Sequence, residues 1–186
     1  MGRSRLSAGS EMRFRVWLLA MAMVLLIVAF PAAAADEARG QERKLLVHVT
    51  SVLEGASDRT VLVFRVIAAG LSKGSSMAVL FDAEGAGSLK LGRWFGGDST
   101  PLDRAVISRK DREDIAVLLG TTANSIPDNY GSLLRFYKGR GLKVYVNQRA
   151  LELRDIGDGQ YDRAAESLAE EKIVELLNNS TAYITY

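Results

Sequence analysis

The chain has no cysteine and one histidine, His48, among its 186 residues. Without cysteine there are no disulfides, no thiolate nucleophile and no cysteine-ligated metal. The shortage of both residue types argues against zinc, which draws on them for its ligands. Internal repeats and low-complexity linkers are also missing, so the chain reads as one domain. Charge of one sign is lacking too. The 24 basic and 22 acidic residues nearly cancel, and nothing marks the basic face that a nucleic-acid partner requires.

The amino terminus has its own pattern. "MRFR" is a basic start, "VWLLAMAMVLLIVAF" an apolar core and "PAAAA" a small-residue cleavage site. Residues 1–35 are therefore expected to be a signal peptide, cut before Asp36, with Met12 as an alternative start. The competing reading is a retained anchor, but Val16 to Phe30 is shorter than the roughly 20 residues that span a bilayer. Export to the periplasm follows, with membrane contact only through an uncleaved signal. The segment holds four arginines and one glutamate. The mature chain then has 20 basic and 21 acidic residues, a net charge of −1.

"KLLVHVT" from Lys44 predicts a buried strand. Ser57 or Asp58 caps a helix over "RTVLVFRVIAAGLSKG", stopped by Gly74. Val61, Phe64, Ala68 and Leu71 share one helical stripe, and Leu62, Val63 and Ile67 widen it. That width predicts self-association, because surplus apolar surface needs a cover. "SSMAVLFDAEG" is a second strand. A short helix and an exposed loop carrying Trp94-Phe95 follow, and Trp94-Phe95 is either an interaction point or folds back on the core. "SRKDRED" reads as a solvated helix start, and Pro127-Asp128 as the opening of another helix. "LKVYV" is a third strand running into the short helix "NQRALELRDI". Ala165, Leu168, Ala169, Ile173, Leu176 and Leu177 form the face of a last helix, before the terminal strand "TAYITY". Alternating strands and helices imply an α/β fold, a three-layer α/β/α sandwich on a mainly parallel sheet.

The order "KLLVHVTS", apolar helix, "FDAEG", helical insertion, "GLKVYV" with its turn, then "AYITY" resembles the DsrE/DsrF-like family in its exported branch, over Lys44 to Tyr186. A flavodoxin-like topology shares the alternation. The resemblance implies sulfur relay, in which persulfide sulfur passes between proteins, and assembly into trimers or hexamers. Sulfur-carrying members place a cysteine directly after the third-strand motif, where this chain has Asn147. Some exported relatives have a second cysteine where this chain has Ala150. An amide cannot carry a persulfide. The resemblance therefore implies a non-enzymatic binding or assembly subunit associated with sulfur metabolism, as a homo-oligomer or with related subunits. No cofactor is expected.

The alternative is a small-ligand module. Ligands of open parallel sheets bind outside the strand carboxyl ends, where Thr50, Ser51, Asp82, Glu84, Asn147, Gln148 and Arg149 are expected to gather. Arg149 suits an anion, and Asn147 either contacts the ligand or simply caps the helix. His48 shares a strand face with Leu46 and Thr50 and is expected to be a hydrogen-bonded core residue. A third reading is an enzyme using His48 and Asp82, for which a base needs a partner within hydrogen-bond reach. Two turn carboxylates, Asp82 and Glu84, are too few to specify a cation site. "EGAG" lacks the spacing and lysine of a phosphate loop, and Ser51 lacks a nucleophile-elbow context.

Overall fold

Five strands build the sheet: β1 Lys44–Val49, β2 Ser76–Phe81, β3 Lys143–Asn147, β4 Glu166–Leu168 and β5 Ala182–Thr185. The computed structural model describes residues 43–92 and 99–186. The expected signal segment and Trp94-Phe95 lie outside the described residues. Arg43–Tyr186 forms one compact unit.

All four strand pairings are parallel, in the order β4-β3-β2-β1-β5. The fold is therefore α/β on a parallel sheet, as expected. A flavodoxin-like sheet places its second strand outside β1, whereas here the last strand holds that position. β5 docks at both ends: Thr181 N–H donates to the Lys44 carbonyl at 2.9 Å and Tyr186 N–H to that of His48 at 2.8 Å.

The expected helix forms as α1, Asp58–Ser72, with the Ser57 hydroxyl accepting from Thr60 N–H and Gly74 at φ +68° just beyond its end. Its buried stripe is centred on Val63, Phe64, Ile67 and Ala68; Val61 and Leu71 are half-buried, and Leu62 is exposed. The core thus absorbs most of the apolar width, and the surplus expected on α1 shrinks to Leu62. α2 (Pro101–Arg104), α3 (Arg109–Leu119), α4 (Tyr130–Lys138) and α5 (Gln148–Glu152) pack on the same side. They meet Val47, Val49, Val79, Phe81, Val144 and Val146 there, one residue in two along each strand. The expected short helix after β2 is a 3-10 helix, Ala83–Leu89. Its Gly85 passes so close to β1 that a Cβ would collide with the Val49 carbonyl.

The other face is thin. Leu46, Ala78 and Leu80 meet Ile173 of α6, Glu170–Asn178. The single last helix expected from Ala165 onward is divided here. Glu166–Leu168 extends along β3 as β4, and the helix starts at Glu170. Edge pairing with β3 overrides the helical propensity of an alanine-, glutamate- and leucine-rich run. No helix among the described residues is long and apolar enough to cross a membrane.

Candidate functional site

The carboxyl ends of β1, β2 and β3 converge on Asp82. Its N–H continues the ladder by donating to the Val49 carbonyl at 2.8 Å, which fixes the side chain at the sheet edge. Oδ1 accepts from Ala83 N–H at 2.6 Å and from Asn147 Nδ2 at 2.7 Å, and Oδ2 pairs with His48 Nε2 at 3.0 Å. Burial alone would raise the Asp82 pKa, but the Ala83 N–H, the Asn147 amide and His48 outweigh it and hold the carboxyl below its usual value. An ionised carboxylate only accepts, so Nε2 is the ring nitrogen that carries hydrogen.

Asn147 is committed at both ends. While Nδ2 holds Asp82, Oδ1 accepts from Arg149 N–H at 2.8 Å and caps α5. Asn147 thus caps α5, one of the two roles expected of it, and adds a second contact to Asp82. Ala83 takes φ +44°, a left-handed conformation that costs a non-glycine residue strain. Its carbonyl accepts from Arg154 Nε at 3.0 Å.

Beside this corner lies an open depression of about 610 Å3, walled by Asp82, Glu84, Asn147, Arg149, Arg154 and Leu153. Carboxylates and guanidinium groups share one small concavity with the exposed Leu153 side chain. Ala150 also borders it but is only 4 % exposed.

Of the seven residues expected at the strand ends, Asp82, Glu84, Asn147 and Arg149 wall the depression. Thr50, Ser51 and Gln148 do not, which narrows the expected set. The Thr50 hydroxyl donates to the Tyr186 carbonyl at 2.9 Å, because the chain terminus docks along β1. Ser51 is half-buried beside it. Gln148 reaches along α5 to Glu152 at 3.3 Å. His48 is half-buried rather than fully in the core, and hydrogen-bonded as expected. It stands behind the depression and steadies Asp82. Arg154 and Ala83 escaped sequence reasoning. A cation just past the end of a helix that starts at a strand's carboxyl end was the available signal for Arg154. Nothing in the sequence marks Ala83 as left-handed.

A second polar centre lies elsewhere. Arg135 of α4 donates to Asp103 of α2 and, at 2.6 Å, to Asp162. Asp103 also accepts from Thr100 N–H and hydroxyl, each at 2.9 Å. Burial would raise the Asp103 pKa, but Thr100 and Arg135 outweigh it and lower it. Among the described residues no three acidic or histidine side chains are grouped to hold a metal ion.

No protein-family model matches the chain. No curated protein matches it either. Among solved structures the chain is similar to the ychN protein of E. coli, at 9 % identity and a TM-score of 0.47, over 78 % of this chain and 100 % of that one.

Proposed function

We propose that this chain is an exported, non-enzymatic binding protein of the DsrE-like kind, which seats a small zwitterionic ligand in the depression beside Asp82. Export and family rest on the amino-terminal pattern and on the "FDAEG" and "GLKVYV" motifs. The observation that carries the ligand reading is the pairing of charges in one concavity. Asp82 and Glu84 suit an ammonium group, Arg149 and Arg154 suit a carboxylate, and Leu153 gives an apolar body a surface. Three donors hold Asp82 as a fixed negative charge, so the seat is organised before a ligand arrives.

Catalysis is disfavoured by the same geometry. Where sulfur-carrying relatives have a nucleophile, Asn147 joins two elements and has neither end of its amide free. His48 turns Nε2 onto Asp82 and does not wall the seat. The association with sulfur metabolism, and assembly with copies of itself or with related subunits, remain part of the proposal through the family resemblance.

The test is a thermal-shift series of the protein against common amino acids, their decarboxylated amines and their deaminated acids. Amino acids should raise the melting temperature, and either half alone should do so less. Equal shifts from amine, acid and amino acid, or none, would remove the reading.

A further inference from the structure

The amino edge of the sheet is open on the α6 side. Ile173 packs on Leu46, Ala78 and Leu80, further along the strands. Lys44, Ser76 and Lys143 are the first residues of β1, β2 and β3. Lys44 registers with Ser76, and Ala78 with Lys143. Side chains two apart on a strand share a face, so all three stand on the same side as Ala78, toward α6. The helix runs back to this edge. Its Lys172, Glu175 and Leu176, with Asn179 just past its end, are spaced by three and four and form the opposite wall of a groove of about 400 Å3. That volume suits a small molecule.

The two walls differ in how far their polar groups are satisfied. On the helix, Lys172 Nζ pairs with Glu175 at 2.9 Å. Ser180 donates its hydroxyl to the Leu176 carbonyl at 2.7 Å and its N–H to that of Leu177, so these carbonyls of the last turn are occupied. On the sheet, Thr181 pins the Lys44 backbone, its N–H and its hydroxyl donating to the Lys44 carbonyl at 2.9 and 3.0 Å. The ammonium groups of Lys44 and Lys143 form no ion pair among the described residues. Tyr145 adds a half-buried hydroxyl. Burial and the charge of Glu166 both raise its pKa, so at neutral pH it remains a donor.

We propose that this groove is a second binding site, for a small organic anion with an apolar body. Lys44 and Lys143 take the anionic head at the amino edge, with the Ser76 hydroxyl between them. The body lies inward on the Tyr145 ring, Leu168 and Leu176. Glu166 registers with Tyr145 on the outermost strand, and its charge keeps the head at the lysine end. The groove shares no residue with the seat beside Asp82 and does not depend on it.

Calorimetric titration of the protein with octanoate, acetate, octanol and octylamine tests the proposal. Octanoate should bind at one site. Acetate, which lacks the body, and octanol, which lacks the charge, should each bind at least about tenfold more weakly, and octylamine not at all. Lys44→Ala with Lys143→Ala should weaken octanoate at least about tenfold while leaving the circular dichroism unchanged, since both side chains are exposed. Lys44→Arg with Lys143→Arg should retain binding. No octanoate binding, octanol or octylamine as tight as octanoate, or a double alanine variant that binds like the wild type would each overturn the proposal. So would loss of octanoate binding in Arg149→Ala with Arg154→Ala, which would put the anion in the strand-end seat. Amino-acid shifts at that seat are unaffected by the lysine variants, so the two proposals fail separately.

Discussion

Two carboxylate centres in this molecule use similar chemistry for different ends. Asp103 accepts from a threonine and from Nη2 of Arg135, whose Nη1 holds Asp162. Asp82 accepts from a backbone N–H, an amide and an imidazole. Both carboxyls are held below their usual value. The difference lies in what surrounds them. The Arg135 centre closes a seam between α2, α4 and the segment before β4, and Asp162 is only 7 % exposed. The Asp82 centre borders an open depression with two guanidinium groups and a second carboxylate beyond it. A polar cluster that satisfies itself in a seam is architecture, whereas one that leaves a charged hollow beside it can recognise something.

The comparison is broken most strongly at the seam. Arg135→Ala leaves the Asp162 carboxylate nearly buried without its cation; because Arg135 is itself 45 % exposed, the cost in denaturant unfolding should fall below that of a fully buried pair, at about 2–3 kcal/mol. Arg135→Lys keeps the charge, loses the fork and should fall between the two. At the strand-end corner, Asn147→Ala removes a helix cap and a donor to an ionised acid, for about 2 kcal/mol. Asn147→Asp keeps the cap but sets two carboxylates together. Its deficit relative to the wild type should be largest at neutral pH and shrink as acid removes the repulsion.

Acid sharpens the comparison further. A carboxyl with a depressed folded pKa contributes stability that is present above its unfolded value, near 3.9, and lost as pH falls through the folded value. Asp82 and Asp103 should therefore both weaken the fold below about pH 4, in the same direction. Asp82→Asn should flatten that part of an acid-unfolding curve by less than about 1 kcal/mol, because the site is partly solvated. An unchanged curve would mean that the three donors do not hold Asp82 as described.

Much of this architecture is legible in the sequence because local signals and tertiary contacts agree. β1, β2, β3 and β5 are compact runs, Ser57 and Gly74 bound α1, and Asn147 sits at the cap of α5. β4 is not legible, since three residues of "AAESLAEEK" take strand form only because β3 offers an edge. The link between His48 and Asp82 spans 34 residues and depends on β1 and β2 lying in register. Residue type alone suggested both as candidates; their contact is a product of the sheet. The Arg135 centre joins residues 27 and 32 positions apart and left no motif at all. Thr50 and Ser51 were placed at the right edge but not in the hollow, because the docking of Tyr186 on β1 is a tertiary event.

The smallest expected effect on stability gives the most direct test of the central claim, that the hollow beside Asp82 is a seat and not a seam. Arg149 is exposed and Arg154 half-buried, and both make solvent-facing contacts, to Glu152 and to the Ala83 carbonyl. Replacing both with alanine should change unfolding free energy by no more than about 0.5 kcal/mol. The measurement is the thermal shift produced by an amino acid in the wild type and in this double variant. The account predicts a shift in the wild type that disappears in a variant equally stable without ligand. An equal shift in both proteins would contradict it.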